Sequence, residues 1–351
     1  VKPAWLDRPV RALDGSAHDE ALEHQAQLTK PPGSLGRLEE VAVRLAAMQR
    51  TSRPELERVR IVVFAADHGV AVERVSAFPQ AVTVEMIRNF SRGGAAICVL
   101  ARELNAELEV VDVGAATDPG PLPGVLSRRV AAGTANFRER PAMDEAQLTA
   151  ALEVGREAAE RALEAGCQMF IGGDMGIANT TAAAALACGL TGEEPGSLAG
   201  PGTGLDADGV SHKVAVLRDV LERHRHACDD PYQALRCLGG LEIAALCGAY
   251  IACAQLGLPV LVDGFIASSA ALAAVGIRPD VRDWLIYSHA SAEPGHQRIM
   301  QALEARPLLD LGMRLGEGSG AATALPLLRL ACALHKGMAT FAEAGVSEKE
   351  V

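Results

Sequence analysis

The chain has 351 residues, of which 49% are apolar but only 3% aromatic, so its core must be built from Ala, Val, Leu and Ile; this excludes a disordered chain and fits an α/β protein. At roughly 150 residues per domain the length allows one large or two unequal domains. With 33 basic against 44 acidic side chains the net charge is −11; nucleic acid and anionic membranes need clustered positive charge and are excluded as main partners, which leaves a local basic site for one small anion.

The first residues, Val1 to Asp7, lack the apolar run of a secretory signal. Lys30-Pro31-Pro32-Gly33-Ser34 reads as a turn ending in a candidate N-cap, after which Leu38, Val41, Leu45 and Met48 recur at helical spacing. From Arg60 the pattern changes to short β-rich runs at Ile61 to Phe64, Val110 to Val113, Met169 to Ile171, Val260 to Val262 and Trp284 to Tyr287, with helical segments between them. The clearest of those helices runs from about Asp144 to Ala165, with Gly166 as its stop. Ile243 to Val262 carries no charge, yet Gly257-Leu258-Pro259 splits it into a buried helix and a buried strand, not a membrane span. Thr191 to Gly209, rich in Gly, Pro, Asp and Glu, is predicted to be a long loop.

Alternation of strand and helix predicts parallel strands with helices on both faces. The expected division is a large α/β substrate-binding domain over 60–307 and a small helical domain formed by 1–59 together with 308–351. The eight cysteines (98, 167, 188, 228, 237, 247, 253 and 332) contain no C-x-x-C pair, so they read as reduced, buried thiols of a cytoplasmic protein.

In an open parallel sheet, ligands bind beyond the carboxyl ends of the strands. Four of the predicted strands run into chemistry-bearing segments: Ala66-Asp67-His68-Gly69, Gly172 to Thr181, Asp263-Gly264 and Ser288-His289-Ala290-Ser291. Gly172 to Thr181 brings backbone amides and hydroxyls to the start of an Ala-rich helix, which suits a phosphate; a capped helix with a glycine turn is the plain alternative. No Gly-Lys-Ser or Gly-Lys-Thr follows, so it is not a P-loop. Gly316-Glu317-Gly318-Ser319-Gly320-Ala321 fits a relaxed dinucleotide fingerprint but follows what reads as a helix end, and it lacks the glycines of a nucleophile elbow. Glu317, flanked by glycines, is either a base or ligand contact, or a solvated loop acid. His68, His289 and His296 lack an H-x-x-x-H partner, so no metal is expected. Lys213 follows Gly200-Pro201-Gly202-Thr203-Gly204 and is a surface lysine unless that loop reaches the strand ends.

Taken together, Lys30-Pro31-Pro32-Gly33-Ser34-Leu35-Gly36, Ala66-Asp67-His68-Gly69-Val70, Arg92-Gly93-Gly94-Ala95-Ala96, Met175 to Thr181, Val262-Asp263-Gly264-Phe265, Ser288 to Glu293 and Arg314 to Ala321 resemble the nicotinate-nucleotide:dimethylbenzimidazole phosphoribosyltransferase family, from about residue 30 to 340. The resemblance implies a Rossmann-like parallel sheet with a small helical domain, a homodimer, and no cofactor or metal. It also implies transfer of phosphoribose from nicotinate mononucleotide to 5,6-dimethylbenzimidazole, giving nicotinate and α-ribazole 5′-phosphate for the lower ligand of cobalamin.

By the same resemblance Glu317 is the general base. The phosphate is held around Gly176 to Thr180, including Asn179, around Ser288 to Ser291, and by Lys213, while Asp263 belongs to the substrate site. Asp174 stands where the family usually has Glu, one methylene longer. Ser76, Phe78 and Gln80 match a segment lining the base pocket, against which Met175 and Leu315 would also pack. Two other readings stay in view: a non-catalytic nucleotide-binding sensor, and a metal-dependent phosphohydrolase built around Asp67, His68 and His289.

Overall fold

The computed structural model describes residues 2–347. Its strands are β1 (Val59–Ala66), β2 (Glu107–Gly114), β3 (Val125–Ser127), β4 (Met169–Met175), β5 (Val260–Val262) and β6 (Leu285–Tyr287), all parallel, in the order β3-β2-β1-β4-β5-β6. The α-helices are α1 (Gly15–Gln27), α2 (Arg37–Gln49), α3 (Ala81–Arg92), α4 (Ala96–Glu103), α5 (Glu145–Glu164), α6 (Asn179–Thr191), α7 (Pro195–Leu198), α8 (Ala207–His224), α9 (Pro231–Leu238), α10 (Leu241–Leu256), α11 (Phe265–Ile277), α12 (His296–Ala302), α13 (Ser319–Gly337) and α14 (Phe341–Ala344). The chain leaves β1 toward β2 on one side and β4 toward β5 on the other. This strand order puts the topological switch point of a doubly wound fold between β1 and β4.

All five predicted strands are present. The central pair, β1 and β4, is buried almost throughout, because helices cover both faces of the sheet, and their sequences therefore run apolar without alternating. Strand β3 escaped prediction: Val125-Leu126-Ser127 is short, partly exposed and at the sheet edge, so neither burial nor length marks it. Helix α5 begins where expected, with Asp144 and Gln147 forming a reciprocal capping box. Ser34 is not the cap of α2; that helix starts after Gly36, whose φ of 53° suits glycine. The predicted loop from Thr191 to Gly209 is shorter than expected, since α6 runs to Thr191, α7 occupies part of it and α8 starts at Ala207.

Apart from Glu242 near its start, helix α10 is apolar nearly all round because it is buried nearly all round, between the sheet and α5. Glycines let the two helices touch backbone to backbone. A Cβ on Gly155 would lie 1.8 Å from the Ala245 carbonyl oxygen, and one on Gly248 2.2 Å from that of Leu152. Among the described residues no helix is long and apolar enough to cross a membrane.

The two chain ends meet. Leu28 bridges Thr340 in antiparallel sense, Thr29 donates its amide to Ala339 O at 3.0 Å, and Gln25 Nε2 lies 2.8 Å from His335 Nδ1. The apolar core nevertheless runs without a break from α2 and α13 into the sheet. All eight cysteines are unbridged, and only Cys228 is more than marginally exposed.

Candidate active site

A cavity of about 320 Å³ opens at the carboxyl ends of β4 and β5. Its walls come from the ends of these strands and the loops behind them: Asp174 to Ile177, Asp263 to Ile266, and Arg314 to Gly316. Asn179 and Thr180 at the start of α6, Gly202 and Thr203, Phe78, and His289, Ser291 and Glu293 complete it. A larger groove of about 1070 Å³ lies between the end of α6 and α8; it holds no strand end and is bordered mainly by charged side chains such as Arg138, Glu193 and Arg218. The residues singled out at the strand ends gather in the smaller cavity.

The loop carrying Glu317 is fixed from below. Asp263 follows β5 and accepts the amides of Gly318 at 3.2 Å and Ala321 at 2.9 Å, capping α13 from a neighbouring strand. The Glu317 amide donates to Asp174 O at 3.1 Å. Gly173 lies directly beneath, where a Cβ would come within 2.3 Å of the Glu317 carbonyl oxygen. Glu317 itself adopts φ 64°, an uncommon conformation for a residue with a side chain. Its carboxylate is buried and accepts the Ile97 amide at 3.3 Å, at the N-terminus of α4. Burial pushes its pKa up; the Ile97 amide opposes the rise and the charge on Asp263 adds to it. Glu317 stands next to the wall residue Gly316 but does not line the cavity itself.

Asp174 is buried and accepts a hydrogen bond from Asn179 Nδ2 at 3.0 Å. Burial and the neighbouring charge of Asp263 drive its carboxyl well above the usual carboxylate range. Gly176 packs so closely on the end of β1 that a Cβ would meet Ala66 O at 2.2 Å. Lys213 is no surface lysine: it is wholly buried on α8 and donates to Thr180 Oγ1 at 2.9 Å and Gly200 O at 3.2 Å. Burial lowers its pKa to about 8.

Met175 is half-buried in the wall, while Phe78 and Leu315, 51% and 59% exposed, stand at its rim. Ser291 lines the cavity, and its Oγ receives the Glu293 amide at 3.3 Å. Besides Glu317 and Lys213, three more of the expected residues stand outside the wall. Ser288 Oγ donates to Val262 O at 2.6 Å, joining the ends of β5 and β6. Gln80 Nε2 donates to His68 O at 2.8 Å, and Ser76 Oγ pairs with Thr203 Oγ1 at 3.0 Å.

The sequence reading passed over Glu293, Arg314, Gly202 and Thr203 as individual site residues. Glu293 is buried, with no well-formed hydrogen bond to its carboxylate oxygens. Nothing in its sequence neighbourhood signals this, because the cations near it, Lys213 and Arg314, come from distant segments. Asp67, His68 and His289 do not converge. Asp67 is held by Thr83 Oγ1 and the Ala116 amide, His68 by Glu242, and His289 Nε2 lies 3.6 Å from Asp263. Among the described residues no group of three or more His, Cys, Asp or Glu side chains is placed to hold a metal.

A cavity at the strand ends of an α/β sheet thus brings Asp174, Asp263 and Glu293 together with Asn179, Thr180 and Arg314, beside the buried Lys213 and the exposed Phe78 and Leu315. A family model described as phosphoribosyltransferase matches residues 10–346. Nicotinate-nucleotide–dimethylbenzimidazole phosphoribosyltransferase of Pseudomonas aeruginosa UCBPP-PA14 is 61% identical over 345 residues, covering 98% of both chains. That of Pseudomonas putida W619 is 58% identical over 351 residues, with both chains fully covered. The crystal structure of the Thermus thermophilus enzyme of the same name superposes with a TM-score of 0.90 at 46% identity, covering 96% of this chain and 100% of that one. The chain belongs to this phosphoribosyltransferase family. These names favour the catalytic reading over the sensor.

Proposed function

We propose that the protein transfers phosphoribose from nicotinate mononucleotide to 5,6-dimethylbenzimidazole with inversion at C1′, releasing nicotinate and α-ribazole 5′-phosphate for the cobalamin lower ligand. What carries this reading is the identity of 58–61% over nearly the whole chain with enzymes of that name. The site chemistry agrees with it. Nicotinate mononucleotide brings a cationic pyridinium leaving group, so the main task is to align donor and acceptor.

One benzimidazole nitrogen attacks C1′ while the C1′–pyridinium bond breaks and its electron pair returns to the pyridine nitrogen. The acceptor's other nitrogen becomes acidic as the new bond forms, and Glu317 takes its proton. A general base in this role is worth typically about 10²- to 10⁴-fold, and a pKa raised by burial improves Glu317 as a proton acceptor. Lys213, Thr180, Gly176, Asn179 and Ser291 would surround the phosphate, with Ser288 supporting that loop through its bond to Val262. Phe78, Met175 and Leu315 would flank the aromatic acceptor. Ser76 and Gln80 would shape that pocket through Thr203 and His68. Asp174, held by Asn179 in the cavity wall, would face the nucleotide.

We also propose a cytoplasmic homodimer, in which 60–307 forms the α/β substrate-binding domain and 1–59 with 308–351 the small helical one, residue 1 and residues 348–351 lying outside the described residues. The reaction is tested by incubating the protein with nicotinate mononucleotide, with and without 5,6-dimethylbenzimidazole and with EDTA throughout, and following products by chromatography. Equal amounts of nicotinate and α-ribazole phosphate, formed only with acceptor, are expected. Binding of the nucleotide without turnover would restore the sensor reading.

A further inference from the structure

Two walls of the cavity are tied together across its mouth. Arg314, immediately before Leu315-Gly316-Glu317, sends Nη1 to the carbonyl oxygen of Gly202 at 2.7 Å. Gly202 lies in the loop from Gly200 to Gly204, itself held from three other directions. Lys213 Nζ donates to Gly200 O, and Thr203 Oγ1 pairs with Ser76 Oγ and accepts the Ala77 amide at 3.2 Å. Glu293 packs so tightly on the third side that a Cβ on Gly200 would lie 2.1 Å from its Oε2. Gly202 also has φ 53°, and a Cβ there would stand 2.7 Å from Thr180 Oγ1 and 3.4 Å from Lys213 Nζ. The loop thus presses its backbone onto the residues that would hold the phosphate, and Arg314 is its one link among these to the segment bearing Glu317.

We propose that Arg314 is a positioning residue that latches the 200–204 loop to the Glu317 segment, so that the phosphate-holding wall and the base move as one and water is kept from C1′. This rests on the transferase reading above. An exposed arginine gives the latch its character: a single charge-assisted bond at the rim can open for substrate and close over it. With the latch lost, water competes with the benzimidazole. Its oxygen would form the new bond to C1′, the C1′–pyridinium bond would break with its electron pair going to the pyridine nitrogen, and a proton would pass to solvent. The products would be nicotinate and ribose 5-phosphate. Excluding such hydrolysis is what closure of an active site accomplishes.

The experiment compares wild type with Arg314→Met, which keeps length without a donor, with Arg314→Lys, and with Thr203→Val, which removes the tie to Ser76. Nicotinate and α-ribazole phosphate are both quantified, with and without acceptor, and amide hydrogen exchange of residues 202–205 is followed without substrate. The expected result for Arg314→Met is several-fold more nicotinate than α-ribazole phosphate, a raised KM for nicotinate mononucleotide, and several-fold faster exchange in that loop alone. Arg314→Lys should recover part of each, and Thr203→Val should show the same changes more weakly. Unchanged loop exchange in Arg314→Met would overturn the latch even if wild type showed no transfer. Faster exchange with one-to-one products would overturn its role in excluding water. Absence of transfer in wild type would instead count against the proposed reaction.

Discussion

The carboxylate of Asp263 caps the first turn of α13 through the amide of Ala321, 2.9 Å away, although the two residues are far apart in sequence. Its second oxygen takes Gly318. The strand-end acid and the residue before the helix, Glu317, are thereby one mechanical unit. Asp263 lines the cavity, and each of its oxygens already accepts one backbone amide from the Glu317 loop or α13. In the proposed mechanism its contribution is to place Glu317.

Asp263→Ala should therefore act more on turnover than on substrate binding. Loss of an N-cap costs about 0.5–2 kcal/mol of stability, which a protein of this core size tolerates. The expected outcome is a folded variant whose kcat falls far more than its KM rises. A large rise in KM with kcat intact would mean that Asp263 contacts substrate directly.

The pH dependence follows from two groups of opposite sense. Glu317 must be ionised to take a proton, and burial raises its pKa, so kcat/KM should fall as pH drops through a value above that of an ordinary glutamate. In the proposed role Lys213 attracts the phosphate and must be charged. Burial lowers its pKa to about 8, so kcat/KM should fall again as pH rises through that value. The basic limb is the more informative, because a substrate phosphate itself titrates near pH ~6. Lys213→Arg keeps the charge at every accessible pH and should abolish the basic limb; a limb that persists in this variant would dissociate Lys213 from it.

Beneath the cavity, His68 and Glu242 form a wholly buried pair at 2.6 Å. Burial works against the charge on His68, but Glu242 and, more weakly, Asp67 outweigh it and hold its pKa above the ordinary value. Because the folded pKa is raised, the pair's contribution is fully present below the unfolded value of about 6.5 and is lost as pH rises through the folded one. Glu242→Gln should cost about 3–5 kcal/mol, since it strips a buried charge of its partner. Denaturant melts across pH should show the wild type, but not His68→Leu, losing stability through that window. A wild-type stability flat across the window would contradict the charged pair.

How much of this was legible beforehand depended on whether the signal was local. The five longer or fully apolar strands, and α5 with its capping box, announce themselves because burial and capping act within a few residues. Strand β3 does not, since an edge strand of three residues needs no apolar run. Glu317 and Lys213 were singled out from glycine-rich neighbourhoods and family resemblance, yet the burial of Lys213 was invisible, because it arises from α8 packing onto Gly200 and Thr180. Glu293 and Arg314 derive their positions from contacts across the fold with Gly200 and Gly202. For the same reason the amide contacts of Asp263 to Gly318 and Ala321 could not be read from Val262-Asp263-Gly264 alone.

The base assignment is tested most directly by Glu317→Gln, assayed for kcat and for KM of both substrates. Gln keeps the shape and still accepts the Ile97 amide through its carbonyl oxygen, so folding and binding should persist while kcat falls by about 10²- to 10⁴-fold. A variant that keeps wild-type turnover would contradict Glu317 as the proton acceptor.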